Sequence, residues 1–258
     1  MKVGVIGKGT VGSAVYDGLE GQGHDMSFYD PKIEGSKLQD ILDSECVFLS
    51  VPTDSTVEGD CDTSIVEKVC KELSEANYRG LVGIKSTVVP GTTDRMKLTY
   101  PMLRMCNVPE FLRAKTALAD FIYNHDVLVI GVYNDADFEL VKKIHGFIPR
   151  NVVQVAPIEA EVIKYFNNVH HAVTVTFGNI IYEVCQRIGA DYNSVYNAII
   201  KRDCINPHYL LVNEKFRAFG GHCLPKDTLA LNNLIKKLGL EFEMIQAAFD
   251  DNERVKNG

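Results

Sequence analysis

KVGVIGKGTVGSAVYDGL, residues 2–19, runs from a short apolar stretch through a glycine-rich turn into an amphipathic one. Residues 2–6 are β-branched and apolar, the pattern of a buried strand. Gly7-Lys8-Gly9-Thr10-Val11-Gly12 follows, and 13–19 has helical spacing. This is GxGxxG in the setting it requires, between a strand and a helix. Gly7 permits the tight turn, Gly9 lets a pyrophosphate approach the backbone, and Gly12 lets helix and strand pack closely. The helix amino end offers free N–H groups and the positive end of a dipole to phosphates. A second strand over 26–29 leads into Asp30. Its carboxylate is placed to accept hydrogen bonds from an adenosine ribose, which selects NAD over NADP. Lys32 lies close and softens that preference. A glycine turn alone is only a turn; the succession of strand, glycines, helix, strand and acid reads as a dinucleotide site.

The alternation continues outward. Strands are expected at 46–51, 81–84, 105–108, 127–131 and 152–155, and helices at 37–42, 63–76, 92–99 and 135–144. The 63–76 helix would bury Ile65, Val66, Val69, Cys70 and Leu73 on one face. The expected fold is α/β, a Rossmann-type doubly wound parallel sheet over residues 1–155. In such sheets ligands bind outside the carboxyl ends of the strands. The loops carrying Pro52, Thr87 and Glu110 each follow a strand and so converge on one crevice. Taken singly, Thr87 reads as a cap and Glu110 as a solvated or capping acid.

Residues 156–258 change character and read as an all-α domain. Residues 158–188 carry apolar residues at helical spacing with Gly178 as the sole glycine or proline. One long helix is expected, bent near Gly178 and closed by Gly189. Lys164 and Asn168 are spaced i,i+4 and share a face, where they suit an oxyanion or a phosphate. A snorkelling lysine beside an interhelical asparagine is the plainer reading. His170 and His171 are adjacent and point in different directions, which argues against a metal. Further helices are expected at 191–200 and 228–238, then a polar end.

Composition bounds the partners. The chain has 258 residues, 46% hydrophobic and 24% charged, enough apolar mass for a real core. A net charge of -7 argues against nucleic acid and against an anionic membrane surface. Seven cysteines, an odd number with no CxxC, suit a reducing cytoplasm better than a disulfide framework or a metal site. No signal peptide or membrane span is visible.

The stretch FGGHCLPKD, residues 219–227, places Cys223 after two glycines and before Pro225, Lys226 and Asp227. A thiol at a bend beside a cation is set up as a nucleophile. By itself the stretch reads more simply as a buried structural cysteine beside a helix start. The remaining motifs reverse that. GKGTVG at 7–12, SVPTD at 50–54, GDCDTS at 59–64, KSTVVPGTT at 85–93, PEFLR at 109–113, AEVIKYFNN at 160–168 and FGGHCLPKDT at 219–228 occur in order. In this the chain resembles the UDP-glucose/GDP-mannose dehydrogenase family.

The resemblance implies oxidation of the primary alcohol of a nucleotide sugar to a carboxylate with NAD, UDP-glucose to UDP-glucuronate being the expected pair. It implies Cys223 as nucleophile, Lys164 and Asn168 holding substrate and oxyanion, and Asp227 orienting water or a proton. Thr87 and Glu110 would frame the second half of the chemistry, Glu110 as a base. Gly7, Gly9, Thr10, Val11, Gly12, Asp30, Pro52, Thr53 and Lys226 fall on the cofactor. Phe111, Leu112, Arg113, Tyr209, Gly220 and Gly221 fall on the substrate. A homodimer through the long helix is implied, and no metal.

The chain also departs from the family. Ala114 stands where Glu follows PEFLR, and Asp203-Cys204-Ile205-Asn206-Pro207 replaces Asp-x-Arg-Ile-Gly, so the arginine that reaches the partner's substrate is missing. Arg217 stands where a small residue is common, and 30–46 is shorter than usual. The resemblance leads to the expectation that the family's third domain is missing, the chain being either a truncated piece or a natural short form. Two other readings stay open: a β-hydroxyacid-type NAD(P) oxidoreductase, which uses a lysine and no catalytic cysteine, and a non-catalytic homologue that binds cofactor or dimerises.

Overall fold

The structure is a computed structural model that describes residues 1–215 and 217–257. It divides into two units, one of residues 1–54 and 62–164, the other of residues 55–61 and 165–258.

In the first unit β1 (Lys2–Ile6), α1 (Thr10–Glu20) and β2 (Asp25–Tyr29) follow the expected order, then β3 (Cys46–Leu49) and α2 (Ser64–Glu75). Next come β4 (Leu81–Ile84), α3 (Thr92–Thr99), β5 (Arg104–Asn107) and α4 (Ala117–Tyr123). The unit continues with β6 (Val127–Gly131), α5 (Asp135–His145), β7 (Asn151–Val155) and the first two turns of α6 (Pro157–Ile188). Seven strands form one sheet in the order β2-β1-β3-β4-β5-β6-β7. One face packs Val3, Phe48 and Cys106 against Val15 of α1, Phe121 of α4 and Ile144 of α5. The other packs Val47, Ile84 and Met105 against Val66 and Leu73 of α2 and Met96 of α3. The central strands β3 and β4 are therefore apolar throughout, as expected of a sheet covered on both faces.

Five parallel strands end in register: Tyr29 beside Ile6, Ile6 beside Leu49, Leu49 beside Ile84, and Ile84 beside Asn107. The sheet is not parallel to its end, because β5 and β6 are antiparallel and meet only at Asn107 and Gly131. A parallel return needs a crossover that carries the chain back along the sheet. The α4 helix has seven residues, about 10 Å of rise, and β6 enters reversed. No local pattern marks α4; it lies on α1 because Gly18 is bare, a Cβ there being 2.4 Å from the Phe121 ring. The helix expected at 37–42 is a single 3-10 turn, Leu38–Ile41. On α2, Val66, Val69, Cys70 and Leu73 are buried as expected, but Ile65 is 42% exposed, one position round from the buried stripe.

The second unit is helical. It comprises the rest of α6 from Tyr165, α7 (Tyr192–Ile199), α8 (Cys223–Lys237) and α9 (Met244–Asn257). The α6 helix continues through Gly178, whose bare face admits the Leu210 backbone: a Cβ would lie 2.8 Å from the Leu210 carbonyl oxygen. Gly189 follows at φ +75°, the left-handed conformation that ends a helix. Asp191 caps α7 through the N–H groups of Asn193 and Ser194, both at 3.1 Å. The α8 helix starts five residues earlier than the spacing suggested, since Pro225 is tolerated in a first helical turn. The polar end folds as α9. There Ala248 and Asn252 are buried, and Ala248 O accepts from Thr176 of α6 at 3.2 Å. The segment 55–61 is tied to α8, Asn233 donating to Glu58 O at 2.7 Å and Lys237 pairing with Asp60 at 2.6 Å.

Candidate active site

The carboxyl ends of β1 to β5 carry the residues expected to bind ligands in the first unit. Gly7 takes φ +86° and donates its N–H to Tyr29 O at 2.9 Å, which fixes the turn. Gly12 lies against it so closely that a Cβ would be 1.9 Å from Gly7 O, whereas nothing lies within 4 Å of a Cβ at Gly9. Gly9 and Thr10 are exposed, Val11 is half-buried, and no side chain caps α1. A bare helix amino end, opened by an unobstructed glycine, fits a pyrophosphate. Asp30 is held from two sides, Oδ2 accepting from Lys8 N at 2.8 Å and Oδ1 from Lys32 N at 2.9 Å. Pro52 is exposed, Thr53 buried and Thr87 half-buried. The two loops after β3 and β4 are joined by Ser86, which donates to Val51 O at 2.7 Å.

The third loop holds the most charge. Glu110 is 7% exposed, and its Oε2 stands 3.1 Å from Nζ of the wholly buried Lys85 side chain. Its Oε1 accepts from Phe111 N at 3.0 Å. Burial works to raise the Glu110 carboxyl, but the Lys85 ammonium and His125 outweigh it and hold the group below its ordinary value. Lys164 Nζ donates to Glu110 O at 2.6 Å and stands 5.4 Å from the Phe111 ring centroid. Phe111 and Leu112 are half-buried. Arg113 forks onto Asp120, Nε to Oδ2 at 2.9 Å and a terminal nitrogen to Oδ1 at 2.7 Å, and this holds the Asp120 carboxyl well below the usual range. Ala114 begins a 3-10 turn. Lys164 owes its place to a residue that the sequence reading passed over. Glu161, one turn earlier and buried, accepts from Gly91 N at 2.6 Å and from Thr93 N at 2.8 Å, so it caps α3 and sets the register of α6. Its presence inside AEVIKYFNN beside Lys164 was the available signal.

In the second unit Cys223 is the first residue of α8 and is exposed. The amino end of a helix favours negative charge beside it. Ahead of it Gly220 and Gly221 are exposed, Gly221 at φ +74°. Phe219 is fixed by Asn252, which accepts from Phe219 N at 2.7 Å and donates to Phe219 O at 3.0 Å. Asn252 lies on α9, outside any motif. One turn into α8, Asp227 is fully buried. Asn168 Nδ2 donates to its Oδ2 at 2.5 Å and Lys226 Nζ to its Oδ1 at 2.6 Å. Tyr209 takes φ +66°, uncommon for a side chain of its size, and stacks on His171 with centroids 4.1 Å apart. Arg217 pairs with Glu183, donates to Asn179 Oδ1 at 3.1 Å and covers the Tyr182 ring. Among the described residues no three His, Cys, Asp or Glu side chains are placed to hold a metal ion. None of the described helices is long and apolar enough to cross a membrane.

A doubly covered sheet with a glycine turn at β1 and an acid at the end of β2 defines an NAD-binding protein of the Rossmann class. The chain belongs to the UDP-glucose/GDP-mannose dehydrogenase family: residues 32–148 match its NAD binding domain and 158–254 its central domain. It is 32% identical over 228 residues to GDP-mannose 6-dehydrogenase of Pseudomonas aeruginosa, covering 82% of this chain and 51% of that protein. It is 31% identical over 223 residues to UDP-glucose 6-dehydrogenase of Rickettsia bellii, covering 83% and 50%. Among solved structures, a UDP-glucose dehydrogenase from the archaeon Pyrobaculum islandicum superposes with a TM-score of 0.90 at 27% identity, over 98% of this chain and 68% of that one. The chain spans about half the length of the curated relatives it matches.

Proposed function

We propose that this protein oxidises the primary alcohol of a nucleotide sugar to a carboxylate, with UDP-glucose as substrate and UDP-glucuronate as product. The observation that carries this reading is the exposed Cys223 thiol at the amino end of α8, one turn before a buried Asp227 that is held by Asn168 and Lys226. The β-hydroxyacid reading has no use for that thiol. NAD, when bound, supplies the hydride acceptor for both oxidations; Gly7 to Gly12, Asp30, Pro52, Thr53 and Lys226 are assigned to hold it.

The first oxidation leaves an aldehyde. Cys223 Sγ adds to its carbonyl carbon and the oxygen takes a proton, giving a thiohemiacetal that keeps the sugar in place. Loss of hydride and of that proton gives a thioester. Water then adds to the thioester carbon, the C–S bond breaks, and the carboxylate leaves with the thiolate restored. Lys164 supplies positive charge to the alkoxide that precedes each hydride loss. Asn168 adds an amide donor, and Asp227 orients it. Thr87 and Glu110 serve the hydrolytic half, Glu110 taking the water's proton. Phe111, Leu112, Arg113, Tyr209, Gly220 and Gly221 are assigned to the sugar nucleotide.

A relative named for GDP-mannose at 32% identity supports that nucleotide sugar as the second reading of the substrate. The exposed Phe166, Phe177, Ile180, Val184 and Ile188 of α6 support a homodimer through that helix. Seven free cysteines support a reducing, cytoplasmic setting. The test is a panel of nucleotide sugars with NAD, followed by absorbance of NADH. Two NADH per UDP-glucose are expected; no NADH from any member of the panel overturns the reading.

A further inference from the structure

Asp120 lies in the first turn of α4, outside every motif quoted above, and among the described residues it accepts five hydrogen bonds. Its Oδ2 takes Arg113 N at 3.0 Å, Arg113 Nε at 2.9 Å and the Thr116 hydroxyl at 2.9 Å. Its Oδ1 takes a terminal Arg113 nitrogen at 2.7 Å and Asn124 Nδ2 at 3.2 Å. An ionised carboxylate only accepts, with about four lone-pair positions, so this one is filled. Asp120 is 7% exposed, whereas the Arg113 side chain is 63% exposed. The arginine therefore lies over a buried acid, and because one of its bonds comes from the backbone, the main chain is fixed along with the guanidinium.

The clasp holds the far end of the loop that leaves β5. The near end is held separately. Val108 N donates to Ile84 O at 2.8 Å, Glu110 Oε2 stands 3.1 Å from Lys85 Nζ, and Glu110 O accepts from Lys164 at 2.6 Å. Phe111 and Leu112 lie between these anchors. Asp120 is itself held in place by its neighbour. Phe121 is fully buried, and its ring fills the space left by Gly18 of α1. The amino end of α1 is the one that opens at the glycine turn. Two adjacent residues of α4 thus face in two directions, one onto the loop and one onto the cofactor helix.

We propose that Asp120 is a positioning residue for the loop 110–113, and that Arg113 serves the reaction through this clasp rather than by touching the sugar nucleotide. This narrows the part given to Arg113 above. The consequence for turnover rests on the proposed function, in which the loop presents Phe111 and Leu112 to the substrate and Glu110 to the water. There a shift of about 1 Å costs about 10²-fold in rate. The clasp itself does not rest on that reading.

Asp120→Asn keeps the shape of the side chain, but whichever way it is turned its N–H groups meet other donors. Hydrogen exchange read by mass spectrometry, on the protein without substrate or cofactor, tests the clasp directly. Residues 108–117 are expected to exchange at least about tenfold faster in Asp120→Asn, with β1 and α1 unchanged. Equal exchange over 108–117 overturns the clasp. Arg113→Lys keeps the charge and loses the fork; it alters an exposed side chain and decides the same question where Asp120→Asn does not fold. A direct substrate contact would not loosen exchange in the free protein.

Turnover then tests the positioning role. For each single variant, kcat/KM for UDP-glucose is expected to fall at least about tenfold, with NAD affinity within about twofold of wild type. The double variant is expected to lie within about twofold of the weaker single one, because residues that act as a unit are not additive. Multiplied losses in the double variant would give Arg113 its own substrate contact and overturn its assignment. Wild-type kcat/KM in a variant with loosened exchange would overturn the positioning role. If the wild type reduces no NAD with any nucleotide sugar, the dehydrogenase reading fails and the consequence for turnover with it, while exchange still decides the clasp.

Discussion

Asn168 Nδ2 donates to Asp227 Oδ2 across 2.5 Å, and Asp227 has no solvent exposure. The other carboxylate oxygen takes Lys226 Nζ at 2.6 Å, and Lys226 is itself 7% exposed. One buried acid therefore orders an amide from α6 and an ammonium from α8. Removing one member of a buried ion pair leaves the other charge uncompensated, at about 3–5 kcal/mol. Asp227→Asn is therefore expected to lower unfolding stability by that amount, and Asn168→Ala by about 1–3 kcal/mol, the cost of one unmade bond. Urea unfolding measures both. A loss below about 1 kcal/mol for Asp227→Asn would mean that the carboxylate serves chemistry alone and not the fold.

His145 gives stability a pH dependence of known sign. Its folded pKa is near 3, driven down first by burial and then by Lys85, against an ordinary 6.5. The contribution is complete above about 6.5 and is lost as pH falls from there toward 3, with a slope of about 1.4 kcal/mol per pH unit. His125 is lowered by burial and works in the same direction. Glu161 works in the opposite one: burial raises its pKa, so what it contributes is present at low pH and lost as pH rises through the raised value. Comparing wild type with His145→Phe cancels both. Between pH 6.5 and 4.5 the variant is expected to show the shallower loss of stability, and equal slopes would refute the assignment.

The glycine turn separates folding from binding. A Cβ at Gly12 would overlap the Gly7 carbonyl at 1.9 Å, and one at Gly9 meets nothing within 4 Å. Gly12→Ala is expected to lose both stability and NAD binding. Gly9→Ala is expected to keep its melting temperature and to lose NAD affinity at least about tenfold, because the added methyl stands where a pyrophosphate approaches. Thermal melts and fluorescence titration with NAD test this. Full NAD affinity in Gly9→Ala would place the phosphates elsewhere.

Much of this was legible in the sequence. The GxGxxG turn, Asp30 and the parallel strands follow from local patterns, because turn chemistry and apolar runs are properties of neighbours along the chain. What was not legible depends on distant partners. The α4 helix exists because Gly18 leaves room for Phe121, and the reversal of β6 follows from α4 being short. The α9 helix reads as a polar tail until Asn252 is seen clamping Phe219. The Lys85–Glu110 pair joins two loops through a buried charge, and each residue alone looks like a solvated group. The Cys223 stretch was readable as chemistry but not as geometry: the thiol begins a helix rather than preceding one.

That position makes Cys223 the sharpest test. Of the seven cysteines, 46, 61, 70, 106 and 185 are buried and only Cys204 and Cys223 are exposed. Burial drives the Cys70 thiol up to about 12 and raises the Cys46 and Cys106 thiols as well, so these three stay protonated and inert. Alkylation should therefore be confined to two sites, and Cys204 serves as an internal control of equal accessibility class. If Cys223 is the nucleophile, it should react faster than Cys204, and UDP-glucose should protect Cys223 alone. Lys226 is committed to Asp227, so Lys226→Met should leave the alkylation rate of Cys223 within about threefold where it folds; the helix amino end remains as the activating feature. Cys223→Ser should oxidise its substrate and then stall with a covalent sugar adduct visible by intact mass, because an alkoxide leaves far less readily than a thiolate. Cys223→Ala should retain NAD affinity and form no acid. Uronic acid formation at the wild-type rate by Cys223→Ala would remove the thiol from the mechanism, and equal alkylation of Cys204 and Cys223, with no protection by the sugar nucleotide, would reduce Cys223 to an ordinary surface cysteine.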